Sequence, residues 1–268
     1  MRICFIGNSH LGPMAAVSGA VASSLPDTEV ANYISRTYGT VPLKVISESD
    51  AEVFPFVKID GKSGAGSILS LDDWDAIVVV GFGFSLIRLV ERWGQFQPDS
   101  LNADLGGHYL VPEFSDGNDN ECIDSSQAVR LLRRLREMTA KPIYLVPAPL
   151  PAEWAAVREG DAFSSYRKLR EAGDERRAVA AFDSQLRRLP GRRIKPIRQP
   201  QSLTRGGMWT PSEYCLGRPE DAAEGSFYAR GDFYHMNKEF GEVYLREILR
   251  TVIADSDSGS RDGEAKES

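Results

Sequence analysis

Ala76-Ile77-Val78-Val79-Val80 is the stretch that most constrains what this chain can become. It is apolar at every position and mostly β-branched, with no polar alternation, so both of its faces need cover. That is the pattern of a central strand in a parallel sheet, buried from both sides by crossover helices. Ile3 to Ile6 and Ile143 to Val146 are shorter runs of the same kind. The three end at Gly7, Gly81 and Pro147, and helical patterns lie between them. Strands alternating with helices predict an α/β architecture with a parallel sheet.

The remaining elements follow from spacing. Met14, Val17, Ala20/Val21 and Leu25 recur at helical intervals and predict a helix over 14–24. Glu29 to Ser35 reads as a second strand, and Leu43–Ile46 with Val53–Ile59 as a hairpin or excursion from the sheet. Asp60 to Ser67 is a Gly-rich loop, and 95–120 is polar and irregular. Asp124, with Gln127 three residues on, predicts a helix cap, followed by the stripe Val129, Leu132, Leu135, Met138. Ser164 to Leu189 reads as a long charged helix with a break near Gly173, and Arg193 to Arg198 as a last strand. In the irregular stretch after Met208, Trp209, Tyr214 and Phe227 are the expected packing anchors. Lys238 to Ile253 predicts a final amphipathic helix that buries Phe240, Val243, Tyr244, Ile248 and Val252. The expected organisation is a single domain over 1–254 and a disordered tail of Ser, Gly and charge over 255–268.

With net charge −6 the chain carries no basic footprint for nucleic acid. No apolar run approaches membrane-spanning length. Three dispersed cysteines, Cys4, Cys122 and Cys215, predict neither a disulfide framework nor a cysteine metal site. The expectation is a cytoplasmic protein that needs no metal and no cofactor.

Three chemistries compete for the strand ends. Gly61-Lys62-Ser63 has the close of a phosphate loop, but Phe56 stands where its first Gly belongs. Gly81-Phe82-Gly83 lacks the third Gly of a dinucleotide fingerprint. Asp116 to Asn120 alternates like a calcium loop, but Glu121 and Gln127 occupy positions that need Gly and Glu. The third is acyl transfer through Ser9, in the turn Gly7-Asn8-Ser9-His10. A serine at the carboxyl edge of a first strand lies where open α/β folds bind ligands. It needs a base and a carboxylate that orients the base. Of the three histidines, His10, His108 and His235, only His235 has an Asp three residues earlier, Asp232. The plainer reading of each half is a helix cap.

Taken together, Gly7-Asn8-Ser9 near the start and Asp232-Phe233-Tyr234-His235 near the end resemble the first and last blocks of the SGNH (GDSL-type) hydrolases. The resemblance implies a three-layer α/β/α fold with a mainly parallel, flavodoxin-like sheet. It implies Ser9 as nucleophile, His235 as general base and then acid, and Asp232 as the residue orienting His235. The oxyanion hole would use the Ser9 N–H, Gly39, and the position of Gly83, where the family carries Asn. That side-chain donor is missing here, so Asn8, Asn237 or a backbone N–H would substitute, with His10 as a further neighbour of the site. The implied activity is serine-esterase hydrolysis of a small acyl ester, with O-acetyl on a carbohydrate as the family-level example and no cofactor. An O-acyltransferase with the same triad, or a small-molecule or carbohydrate-binding protein on the same fold, are the alternatives. No nucleic-acid or membrane partner is expected, and oligomeric state is open.

Overall fold

The computed structural model describes residues 1–35, 43–45, 50–53, 56–58, 67–96, 126–190 and 194–264. The strands are β1 (Arg2–Gly7), β2 (Glu29–Ser35), β3 (Leu43–Val45), β4 (Asp50–Val53), β5 (Phe56–Lys58), β6 (Ser67–Ser70), β7 (Ala76–Val80), β8 (Ile143–Val146) and β9 (Ile194–Pro196). The helices are α1 (Gly12–Ala15), α2 (Ser18–Ser23), α3 (Leu86–Phe96), α4 (Gln127–Met138), α5 (Ser164–Glu171), α6 (Glu175–Arg187) and α7 (Lys238–Glu264).

The main sheet has the order β5-β2-β1-β7-β8-β9. All neighbours run parallel except β5, which pairs antiparallel with β2 through Ile34 and Val57. The parallel strands thus follow the order 2-1-3-4-5 of a flavodoxin-like, three-layer α/β fold. A second, antiparallel sheet, β3-β4-β6, puts Leu43–Val45 opposite Ala51–Val53, so the hairpin forms on the strand before the expected Val53–Ile59 run. The run from Val53 is split between the two sheets, because β5 turns back to cover the edge of β2.

Every residue of β7 and β8 is buried, as is β1 from Ile3 on. Fully burying one such Val, Ile or Leu side chain is worth about 1.5–3 kcal/mol, so the five-residue run at Ala76–Val80 anchors the sheet. On α4, Ala128, Val129, Leu131, Leu132 and Leu135 are buried. The cap of α4 is Ser126, whose hydroxyl accepts from the Val129 N–H, and not the expected Asp124, which lies outside the described residues. The break at Gly173 is present, separating α5 from α6.

Three expectations need correction. The helix over 14–24 is two short helices, because the Ser18 hydroxyl donates to the Ala15 carbonyl and takes over the backbone's role at the junction. Helix α3 was not anticipated, although Leu86, Leu89, Val90 and Trp93 fall at helical intervals and are all buried. The tail from Asp255 is helical as far as Glu264, and Asp255 accepts from the Tyr144 hydroxyl and the Lys195 ammonium. The expected boundary at 254 therefore falls inside a helix rather than at its end.

Helix α7 buries Phe240, Tyr244, Leu245, Ile248, Leu249 and Val252, while Val243 is only partly covered. It crosses α1 at Gly241, where a Cβ would lie 2.3 Å from the carbonyl carbon and oxygen of Pro13. No side chain fits at that crossing. Gly241→Ala is expected to lower unfolding stability by about 1–3 kcal/mol, read by urea denaturation.

Candidate active site

Strands β1, β2 and β7 leave the sheet at one level, because Gly7 is in register with both Ile34 and Val80. The chain winds outward to β2 on one side of β1 and to β7 on the other, so the crevice beside β1 is the topological switch point. Gly7 is required there, since a Cβ would lie 2.6 Å from that of Leu11.

The turn after Gly7 frees the serine. Asn8, not Ser9, caps the short helix Ser9–Leu11: its Oδ1 accepts from the His10 N–H at 3.2 Å. The Ser9 hydroxyl lies instead 2.9 Å from Nε2 of His235. The His235 Nδ1 is 2.7 Å from Oδ2 of Asp232, and the other carboxylate oxygen accepts the backbone N–H of His235 at 3.1 Å. Ser9, His235 and Asp232 thus form one hydrogen-bonded chain between residues 226 apart in sequence. The Asp232–His235 spacing of three residues supplies both the backbone and the ring contact within one turn.

A clamp that sequence reasoning missed holds this last block in place. Leu216 N–H donates to the His235 carbonyl, Asn237 N–H to the Tyr214 carbonyl, and Ala152 N–H to the Phe233 carbonyl. Phe233 is buried against Trp154, Phe163 and Tyr166, while its neighbour Tyr234 stays exposed beside the His235 ring. Gly217 packs so closely on this block that a Cβ would lie 2.5 Å from the Asp232 carbonyl oxygen. The segment Ser212–Gly217 offers no periodic pattern, so only Tyr214 and Trp209 of the expected anchors were legible. Phe227, the third, is exposed.

The remaining sequence-predicted residues divide. Asn237 is tied down at both ends of its amide: its Nδ2 donates one hydrogen bond to the Glu213 carbonyl and its Oδ1 caps α7 through the Phe240 N–H. Gly39 and His108 lie outside the described residues. Gly81, Phe82 and Gly83 all have positive φ (80°, 49° and 75°), and the Phe84 N–H closes the turn on the Gly81 carbonyl. A buried Phe in that conformation is strained by about 1–3 kcal/mol. Gly83 carries no side chain toward the site, and the place of its Cβ is taken by the Arg88 guanidinium at 3.0 Å. Among the described residues the Ser9 N–H makes no hydrogen bond.

Burial and charge act on Asp232 and His10 in turn. Burial alone would raise the Asp232 carboxyl, but the His235 hydrogen bond and charge, with the backbone N–H groups of His235 and Tyr234, hold it below its ordinary value. His10 is pushed down to about 4, first by burial and then by His235, against a smaller opposing pull from Asp232. Burial, with Glu153 and Glu213, pushes the Cys215 thiol up to about 12, so it is no nucleophile at neutral pH. Among the described residues no group of His, Cys, Asp and Glu is arranged to hold a metal ion. No helix among them is long and apolar enough to cross a membrane. A separate cleft lined by Ala148, Phe182, Arg198 and Tyr244 contains none of Ser9, Asp232 or His235.

The fold and the site together define a flavodoxin-like α/β protein with a Ser–His–Asp chain at its switch point. No protein-family model matches the chain, and no curated protein matches it.

His10 is neutral when folded but free to take a proton when unfolded, so the unfolded state binds more protons between about 4 and 6.5. Stability therefore falls as pH drops through that window, and protonation of Asp232 extends the loss to lower pH. Melting temperature is expected to fall between pH 7 and pH 4, and less steeply in His10→Phe, as followed by circular dichroism.

Proposed function

We propose that this chain is a serine esterase of the SGNH (GDSL) type that hydrolyses a small acyl ester, for which O-acetyl on a carbohydrate is the family-level example. The observation that carries the reading is the chain Asp232–His235–Ser9, at 2.7 and 2.9 Å. With Asp232 accepting at Nδ1, His235 holds its proton there and presents the Nε2 lone pair to the Ser9 hydroxyl. The Ser9 oxygen attacks the acyl carbon as its proton passes to Nε2. The oxyanion forms against the Ser9 N–H. Collapse breaks the ester C–O bond, and His235 gives the proton to the departing alkoxide. Water then attacks the acyl-enzyme, its proton passing to His235 and on to Ser9, and the carboxylic acid leaves. Asp232 stays ionised throughout, in keeping with its lowered pKa. The free, buried Cys215 thiol supports placement in a reducing cytoplasm.

A second reading, a binding protein that retained the geometry, draws on Gly83, which supplies no side-chain donor. An acyltransferase would run the same first half-reaction, with a sugar hydroxyl in place of water.

Labelling with a fluorophosphonate probe, read by intact mass, separates these readings. Wild type is expected to gain one adduct, and Ser9→Ala and His235→Ala none. A folded wild type that takes no adduct favours the binding protein. Asp232→Asn is expected to keep the fold and lower kcat by about 10⁴ through the wrong His235 tautomer, measured on p-nitrophenyl acetate.

A further inference from the structure

The His10 ring lies at this site and the triad does not use it. It directly follows Ser9 and lies 5.5 Å from the His235 ring, centroid to centroid, and 6.3 Å from Tyr234. Its Cδ2 edge rests on the turn after β7, 3.1 Å from where a Gly81 Cβ would stand. Gly81 therefore makes room for this ring as well as for Asn8. The two ring nitrogens differ. Nδ1 is sealed from solvent and has no hydrogen-bond partner among the described residues. Nε2 is not sealed, and it too makes no hydrogen bond among them.

That asymmetry selects a tautomer. A buried N–H without an acceptor loses its hydrogen bond to water outright, whereas a bare lone pair loses less. The proton of the neutral ring therefore sits on Nε2, the accessible nitrogen beside the Ser9 turn. The His10 backbone N–H is already committed to Asn8 Oδ1, so this residue's only available donor is on its side chain. Asn237 is held by the Glu213 carbonyl and the Phe240 N–H, and Gly83 has no side chain.

Resting on the esterase reading above, we propose that His10 is a catalytic residue, its neutral imidazole donating Nε2–H to the acyl oxygen as that oxygen becomes an anion. It joins the Ser9 N–H as the side-chain half of the oxyanion site. A neutral imidazole suits this role: a second cation beside His235 would oppose the proton that His235 must take up. Burial and the proximity of His235 both keep His10 uncharged. The proton stays on His10 throughout, and only the hydrogen bond strengthens.

Two measurements test this. The first is kinetic, with p-nitrophenyl acetate and wild type, His10→Phe and His10→Gln side by side. Phe keeps a ring of similar shape without the donor, and Gln restores an N–H at similar reach. Loss of one oxyanion donor costs about 10²–10³ in turnover. Phe is expected to fall by that factor in kcat with KM changed little, and Gln to recover part of it. A Phe variant that melts like wild type and turns over within about threefold of it overturns the proposal. The second needs no variant. In ¹⁵N-histidine-labelled wild type, with three histidines in all, long-range ¹H–¹⁵N correlation at pH 7 reads the His10 tautomer. An Nε2–H form is expected, and an Nδ1–H form overturns the assignment even if His10→Phe fails to fold. If wild type neither hydrolyses ester nor takes the fluorophosphonate label, the esterase reading fails and takes this one with it. If wild type does both and His10→Phe is unimpaired, only the role of His10 falls.

Discussion

The site depends on a contact outside the hydrogen-bonded chain itself, the crossing of α7 over α1 at Gly241 and Pro13. Two helix backbones can approach so closely only where a side chain is absent. The crossing docks the last helix against the first turn of the chain, and His235 stands three residues before that helix begins. Ser9 and His235 meet across 226 residues because of it. The clamp from Ser212 to Gly217 and the burial of Phe233 then set the remaining freedom of the block. The sheet fixes one partner and the helix crossing fixes the other, so the 2.9 Å hydrogen bond joins two independently held parts.

Two histidines adjoin Ser9, each in different surroundings. His235 is held at Nδ1 by a carboxylate and turns Nε2 to the serine. His10 has no carboxylate, loses solvent at Nδ1, and stays neutral. One is therefore fitted to take a proton and the other to keep one. The strained turn at Gly81–Gly83 belongs to the same arrangement, because its glycines admit the His10 ring and the Arg88 guanidinium where side chains would clash.

Local signals carried well where one physical requirement dominated. The β-branched run at Ala76–Val80 could only be a doubly covered strand, and it is. The break at Gly173 and the pairing of Asp232 with His235 were both legible from spacing of a few residues. Expectations failed where a side chain competed with the backbone or where partners were remote. Ser18 splits the first helix through a bond to Ala15 that periodicity does not register. Asn237 has the composition of a site donor, and its amide also holds the Glu213 carbonyl and the Phe240 N–H, one of them 24 residues away. The charged stretch after Asp255 reads as a tail, but Lys195 and Tyr144 hold its first residue.

The sequence by itself determined the α/β class, the position of Ser9 at a strand end, and the local Asp232–His235 pair. These follow from side-chain period, from glycine at turns, and from the reach of a carboxylate over three residues. Tertiary structure decided the rest: that Asn8 rather than Ser9 caps the turn, that Nε2 of His235 comes within 2.9 Å of the serine hydroxyl, and that His10 is buried on one side only. Each of those depends on which surfaces pack together, and packing joins residues whose separation in the chain carries no periodic trace.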